Sequence, residues 1–179
     1  MSTPTDRTRR RLLALIPGSL ALGLLPGRGL LAAADATSAE PTRPDGDIDW
    51  AGLTEDQWRA RLTEAEFRIL RDEGTERAGS SPLDAEKRTG TYVCAGCALP
   101  LFSSETKYDS GTGWPSFWAP LDDAVETKRD FMLFLPRTEY HCRRCKGHQG
   151  HVFDDGPEPT GKRYCNNGLA LDFVPADRG

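Results

Sequence analysis

The sequence predicts a mainly β, mainly antiparallel protein with a small helical layer at its N-terminal side. Thirteen prolines and eighteen glycines among 179 residues predict many turns, which favours a loop-rich β domain over a helical bundle. After Gly90, short runs of aromatic and aliphatic residues alternate with clusters of Gly, Pro and Asp, the pattern of short strands joined by turns. The length suffices for one domain with its own core.

Residues 1–34 have the composition of an export signal. Three arginines at 9–11 precede an apolar run at 12–25, and small residues follow at 32–36 in the spacing that signal peptidase cleaves. The adjacent arginines resemble a twin-arginine signal, which exports folded proteins, so we expect an exported protein of the bacterial periplasm. The alternative is an uncleaved membrane anchor. The 14-residue run contains Pro17 and Gly18, whereas a spanning helix needs about 20 residues.

Residues 35–49 are rich in Pro, Asp, Thr and Ala and predict a flexible linker before a catalytic domain at 50–179. Of the 23 basic and 27 acidic residues, five and one lie in residues 1–34, which leaves 18 and 26 and a net charge of −8. An acidic mature chain argues against binding nucleic acid or anionic lipid through bulk charge.

Two capping boxes predict two short helices that end before Gly74. Thr54 is followed three residues later by Gln57, and Thr63 by Glu66, so hydroxyl and amide or carboxyl groups can satisfy the free N–H groups of each helix start. Strands are expected farther along the chain, at residues 91–93, 130–135, 138–141, 151–153 and 170–174.

Four of the five cysteines form two Cys-x-x-Cys motifs separated by 44 residues. Each motif can present two thiolates to one edge of a tetrahedral ion, so the pair closes the coordination sphere of one zinc and leaves no catalytic position open. Two disulfides are the alternative in an oxidising compartment, and the acidic charge disfavours a nucleic-acid zinc ribbon. The expected ligands of this structural zinc are Cys94, Cys97, Cys142 and Cys145.

Cys165 is the unpaired fifth cysteine and the candidate nucleophile. Arg163 lies two residues away in an extended segment, so its side chain would project to the same face and favour the reactive thiolate. A surface ion pair is the alternative for Arg163. His148 and His151 precede this segment, and because an imidazole side chain ordinarily titrates near neutral pH, they are candidates for acid–base chemistry. Ordinary core or surface positions are an equal alternative for both histidines.

A glycine-rich loop at residues 110–118 carries a candidate ligand-binding tryptophan. Gly111 and Gly113 flank Thr112, and Pro115 follows Trp114, which predicts a rigid, tightly turned segment. Trp114 would present an apolar face to a small ligand, and simple packing is the alternative.

These segments together resemble the methionine-R-sulfoxide reductases, the MsrB family. Beyond the two cysteine motifs, the matching segments are residues 74–76, 101–104, 110–117, 150–153, 155–157, 159–161 and 163–167, in the family's order across residues 50–175. The resemblance implies a small antiparallel β-sandwich or barrel-like domain with short N-terminal helices and a zinc held by the four paired cysteines. It also implies reduction of the R epimer of methionine sulfoxide, peptide-bound or free, to methionine.

The resemblance implies a role for each candidate site residue. Cys165 as thiolate attacks the sulfoxide sulfur and is left as a sulfenic acid. Trp114 packs against the substrate methyl group and excludes water, and Phe153 is a second substrate-binding residue. The remaining residues surround the sulfoxide oxygen or orient this set; they are His148, His151, Asp155, Arg163 and Asn167.

Thr112 stands where many family members have a cysteine that resolves the sulfenic acid. The chain is therefore identified as the one-cysteine type, and we expect an external reductant, either a thioredoxin-like protein or a small thiol. Gln149 replaces the usual leucine, and residues 77–80 lack the usual Pro-Phe pair, which predicts altered packing and surface near the site. The other expected partners are oxidised proteins or peptides, with no nucleic acid, and the chain is expected to be a monomer.

Two other functions follow from the residues alone. One is a non-catalytic zinc module in which Cys165 is a buried, small apolar side chain. The other is a one-cysteine peroxidase or thiol redox sensor. The Trp114 loop favours the sulfoxide reductase, because a methyl-binding aromatic ring has no evident role in peroxide chemistry.

Overall fold

The computed structural model describes residues 48–130 and 136–176. The predicted export signal, all but the last two residues of the predicted linker, the segment 131–135 of one predicted strand and the last three residues of the chain lie outside this range. None of the helices within it combines the length and the hydropathy that a membrane span requires.

Two short helices form where the capping boxes predict them, α1 at Glu55–Arg59 and α2 at Glu64–Leu70. In each box, at Thr54 and at Thr63, the threonine hydroxyl accepts a hydrogen bond from the N–H three residues later, and the side chain there accepts one from the threonine N–H. Helices of five and seven residues are unstable alone, so these caps and the packing of the helices define them.

The strands of the described residues form two antiparallel sheets. The strands are β1 (Gly90–Cys94), β2 (Pro100–Ser103), β3 (Lys107–Tyr108), β4 (Ser116–Phe117), β5 (Val125–Asp130), β6 (Arg137–Cys142), β7 (His148–Phe153), β8 (Arg163–Asn166) and β9 (Leu171–Pro175). The smaller sheet has the order β2-β1-β9, and the larger has the order β3-β4-β8-β7-β6-β5. The predicted strands at 91–93, 138–141, 151–153 and 170–174 are confirmed.

Buried aromatic rings from the two sheets pack against one another. Phe102 of β2 stacks on Phe117 of β4 with ring centroids 4.2 Å apart, and Tyr92 of β1 meets Phe117 edge-on at 4.9 Å. Tyr140 of β6 contacts Phe102 from the other side. Because these rings join strands of both sheets face to face, the mainly β sandwich that the resemblance implies is confirmed.

The helical layer lies over the two turns that carry the paired cysteines. The Arg71 guanidinium lies 4.9 Å from the ring centre of Trp58 and donates to the carbonyl of Cys145 at 3.0 Å. A Cβ placed on Gly147 would lie 3.0 Å from a Leu70 methyl group, so helix and turn are in close contact. The helices thus shield this region from water.

Candidate functional site

Cys165 lies in β8, between β4 and β7. Its register partners are Ser116 on β4 and His151 on β7. The half-buried thiol borders a pocket of about 140 Å³, a size that suits the end of one side chain. The pocket brings together the predicted residues Trp114, His151, Phe153 and Asn167 with Cys165, and adds Thr75, Arg137, Gly150 and Asn166.

Trp114 forms one wall of the pocket and is fixed by its loop. Its indole Nε1 donates to the carbonyl of Glu76 at 3.2 Å. Gly111 and Gly113 have φ values of 69° and 84°, in the left-handed region that favours glycine. The Gly113 carbonyl accepts from the Gly79 N–H at 2.7 Å. These contacts hold the ring at the edge of the pocket.

Phe153 packs against the arginine of an ion pair. The Arg163 guanidinium lies 4.3 Å from the centre of the Phe153 ring and donates to Asp155 through two hydrogen bonds of 2.8 Å. Arg163 in turn lowers the pKa of the Asp155 carboxyl. Arg163 and Asp155 are not among the residues that line the pocket, so they act on the site through Phe153 and by charge.

Burial raises the pKa of the Cys165 thiol. The charge of Arg163 and the side chain of Thr112 oppose this effect. Desolvation outweighs both, because burial disfavours the charged thiolate.

His151 faces the pocket and is paired with a carboxylate. Its Nε2 lies 2.8 Å from Asp130 Oδ2, which also accepts from Arg137 at 2.7 Å. Burial lowers the pKa of His151, and Asp130 offsets this only in part. The carboxylate fixes Nε2 as the protonated nitrogen, which leaves Nδ1 to exchange a proton.

His148 is next to His151 and is not among the residues that line the Cys165 pocket. The two rings are 5.5 Å apart, and His148 lines a neighbouring cavity of about 210 Å³ that His151 also borders. His148 Nδ1 is 2.8 Å from Glu139, and its buried Nε2 has no hydrogen-bond partner among the described residues. Burial raises the pKa of Glu139, but hydrogen bonds from His141 and His148 outweigh it and bring the value to about 2.

Asn167 and Gln149 connect the pocket to the cysteine motifs. Asn167 Oδ1 accepts from the Glu76 N–H, and its Nδ2 donates to the Gln149 carbonyl, both at 3.0 Å. The fully buried Gln149 side chain donates to Cys94 Sγ at 3.5 Å and accepts from Asn166 at 3.4 Å. The substitution of the usual leucine thus places a polar bridge between the cysteine motifs and β8.

Three site carboxylates were not predicted as functional from the sequence. Glu76 is buried and accepts from the N–H groups of Gly168 at 2.5 Å and Leu169 at 3.2 Å. Glu76 belongs to segment 74–76, which resembles the family, and that resemblance could have identified it as a site residue. Asp130 and Glu139 lie on strands, where a carboxylate ordinarily faces water, so only their tertiary partners reveal them.

The sulfur atoms of the four paired cysteines lie within 4.8 Å of one another and are buried. Cys94 is 3.6 Å from Cys145, and Cys97 is 3.5 Å from Cys142. A tetrahedral ion with zinc–sulfur bonds of about 2.3 Å places its sulfurs about 3.8 Å apart, whereas a disulfide needs about 2.05 Å. All five cysteines, each within the described residues, are free thiols. The cluster therefore fits a metal ion.

The two cysteine turns share one conformation. In each, the N–H of the first cysteine donates to the carbonyl five residues later, and its own carbonyl accepts from the N–H four residues later. The residue after the second cysteine, Ala98 or Lys146, has a left-handed φ of 57° or 60°. The chain therefore presents both sulfur pairs in matched geometry.

Comparison with known proteins assigns the family. The SelR domain family matches residues 62–175. The peptide methionine sulfoxide reductase MsrB of Hahella chejuensis is 49% identical over 73% of this chain and 94% of its own. The MsrB of Pseudomonas putida (strain W619) is 52% identical over 69% and 94%, and that of Methanosarcina barkeri is 48% identical over 70% and 89%. The solved Yippee-like domain of Mis18 aligns with 51% of this chain and 100% of its own, at a TM-score of 0.41 and 16% identity, too weakly to bear on function. The chain belongs to the MsrB family of peptide methionine sulfoxide reductases.

Proposed function

We propose that this protein reduces the R epimer of methionine sulfoxide, in peptides and as the free amino acid, with Cys165 as the nucleophile. The observation that carries the proposal is the pocket itself, in which a half-buried thiol lies among Trp114, Phe153 and His151. The two aromatic side chains offer apolar surface to the substrate methyl group. His151 is placed to donate the proton that the sulfoxide oxygen needs.

In the first step, the Cys165 thiolate attacks the sulfoxide sulfur while the oxygen takes up a proton. The oxygen ends on Cys165 as a sulfenic acid, and methionine departs as the thioether. The cysteine sulfur is oxidised by two electrons and the sulfoxide sulfur is reduced by two, so thiol and sulfoxide become sulfenic acid and thioether without another reactant. Trp114 limits the access of water to these atoms.

We assign His151 as the nearest proton donor and His148 as its support. His151 lines the Cys165 pocket and is held by Asp130. His148 is paired with the buried carboxylate of Glu139 in the adjoining cavity, where it can supply a proton toward His151. Asn167 positions the pocket edge through Glu76, because both ends of its amide bind backbone groups.

We propose that the sulfenic acid is reduced by an external thiol, supplied by a thioredoxin-like protein or a small molecule. A first thiol displaces water and forms a mixed disulfide with Cys165, and a second thiol releases the cysteine. Thr112, whose side chain lowers the pKa of the Cys165 thiol against the effect of burial, stands at the position of the resolving cysteine and has no thiol. The other four cysteines are gathered in the separate buried cluster.

We also propose that the cysteine cluster holds one structural zinc. Four buried sulfurs fill a tetrahedral sphere and leave no position for substrate. When bound, zinc would fix the two turns in their matched conformation. For its place of action we propose the periplasm, on the basis of the basic, apolar and small-residue order of residues 1–34.

Incubation of the purified protein with racemic methionine sulfoxide and dithiothreitol tests the activity. We expect loss of the R epimer alone, with the S epimer as the internal control, and we expect Cys165→Ser to abolish the loss. Consumption of the S epimer, full activity of Cys165→Ser, or a faster reaction of Cys165 with hydrogen peroxide than with methionine sulfoxide would contradict the proposal.

Metal analysis tests the cluster. We expect one zinc per chain, and we expect Cys142→Ser to lose the metal and to unfold at a lower temperature, because the two turns are no longer tied together. Cys165→Ser is the matched control and should keep both zinc and thermal stability. A metal-free native protein with two disulfides by mass would show that the cluster is not a zinc site.

Thr112→Cys tests the dependence on an external thiol. Because residue 112 is near enough to influence the pKa of Cys165, the new thiol should attack the sulfenic acid, release water and form a disulfide with Cys165 after one turnover without reductant. Peptide mass spectrometry identifies that bond, and Thr112→Ser, which adds no thiol, should lack it. An internal disulfide at Cys165 in the unmodified protein would refute the one-cysteine assignment.

A further inference from the structure

Among the described residues, two groups outside the cysteine cluster donate hydrogen bonds to its sulfur atoms. The Gly147 N–H donates to Cys145 Sγ at 3.4 Å, and the side-chain amide of Gln149 donates to Cys94 Sγ at 3.5 Å. The first donor belongs to the backbone of the turn. The second belongs to a side chain, so a single substitution can remove it.

The Gln149 side chain is fully buried and therefore depends on its hydrogen-bond partners. Leucine, the usual residue at this position in the family, has no polar atoms, whereas a buried amide is unfavourable unless its donor and acceptor groups are paired. Both ends of the Gln149 amide are paired, since Nε2 donates to Cys94 and Oε1 accepts from Asn166 Nδ2 at 3.4 Å. The cluster thus supplies one of the partners that this buried amide needs.

The hydrogen bonds on either side of Gln149 all run in one direction. The Tyr140 hydroxyl donates to Asn166 Oδ1 at 2.6 Å, Asn166 donates to Gln149, and Gln149 donates to Cys94. All four side chains are fully buried. A thiolate that binds a metal can only accept hydrogen bonds, so a loaded cluster requires this order. A turned Gln149 amide would place its carbonyl oxygen against the sulfur.

The hydrogen bond to Cys94 is stronger when the sulfur is ionised. The metal ligand is the thiolate, and hydrogen bonds to an ionised acceptor are stronger than those between neutral groups. A protonated thiol, in contrast, is only a weak acceptor. The Gln149 amide therefore stabilises the metal-bound cluster more than the metal-free thiols, and this difference adds to the affinity for the metal.

We propose that Gln149 is a positioning residue of the metal site, which tightens the binding of zinc by donating a hydrogen bond to the Cys94 thiolate. Removal of a hydrogen bond to a metal ligand ordinarily costs about 10- to 100-fold in metal affinity. The inference rests on the proposed structural zinc and not on the proposed reductase activity. It gives a function to the residue that replaces the usual leucine.

Gln149→Met tests the hydrogen bond, because methionine has nearly the length of glutamine and no N–H donor. Asn166 keeps a partner in this variant, since its Nδ2 also donates to the carbonyl of Asn167 at 2.8 Å. The zinc-loaded proteins are titrated with EDTA at neutral pH. We expect the zinc affinity to fall about tenfold in Gln149→Met and in Gln149→Leu.

Cobalt(II) in place of zinc separates loss of the hydrogen bond from a general loss of stability. The sulfur-to-cobalt charge-transfer band moves to longer wavelength when a ligand sulfur loses a hydrogen bond, because its lone pairs rise in energy. We expect this shift in Gln149→Met and in Gln149→Leu. Val152→Ala is the matched control, because Val152 lies on the same strand, β7, and packs against the core. It should leave the band unchanged.

A charge-transfer band in both glutamine variants that coincides with that of the unaltered protein, or an unchanged zinc affinity in both, would overturn the inference. Circular dichroism identifies folded variants, and Gln149→Leu gives an independent result if Gln149→Met fails to fold. An unaltered protein that binds neither metal would refute the proposed zinc together with this inference. Absence of R-epimer reduction, with the affinity change and the band shift both present, would refute the reductase activity alone.

Discussion

The buried four-cysteine cluster links the two sheets and lies next to the strands that carry the site. It joins the turn after β1, in the smaller sheet, to the turn between β6 and β7, in the larger one. β7 leaves that turn and carries His148, Gln149 and His151, and its pairing with β8 sets His151 opposite Cys165. Gln149 then bonds both Cys94 and Asn166. The position of the nucleophile relative to its histidine is thus determined by a cluster that takes no part in the chemistry.

The site combines a partly buried thiol with charged side chains that are paired with one another. Burial favours the neutral thiol, while it allows the aromatic wall to exclude water. The charged groups nearby occur as pairs, Arg163 with Asp155 and Arg137 with Asp130, and each pair orients a pocket residue. Charges removed from water need such partners. The same ion pairs therefore neutralise the charges and orient the pocket residues.

Sequence patterns over a few residues predicted the helices and the sulfur pairs, whereas the arrangement of the site depends on contacts between residues far apart in the sequence. The boxes at Thr54 and Thr63 predicted both helices, since a cap is satisfied within four residues. The spacing within each Cys-x-x-Cys motif predicted a pair of adjacent sulfurs for the same reason, and the presence of two such pairs predicted the four-sulfur cluster. His148 is next to His151 and is held there by pairing with Glu139 across β6 and β7. Neither that carboxylate nor the bridge made by Gln149 has a local pattern that could have revealed it.

Whether Cys165 itself takes the oxygen from the sulfoxide can be tested by a single turnover without reductant. Enzyme is mixed with the R epimer and dimedone, and the methionine formed and the dimedone adduct on the Cys165 peptide are quantified together. We expect one methionine per chain and a matching adduct on Cys165, with neither product from the S epimer. Methionine formed without an adduct on Cys165, or an adduct raised equally by the S epimer, would contradict it.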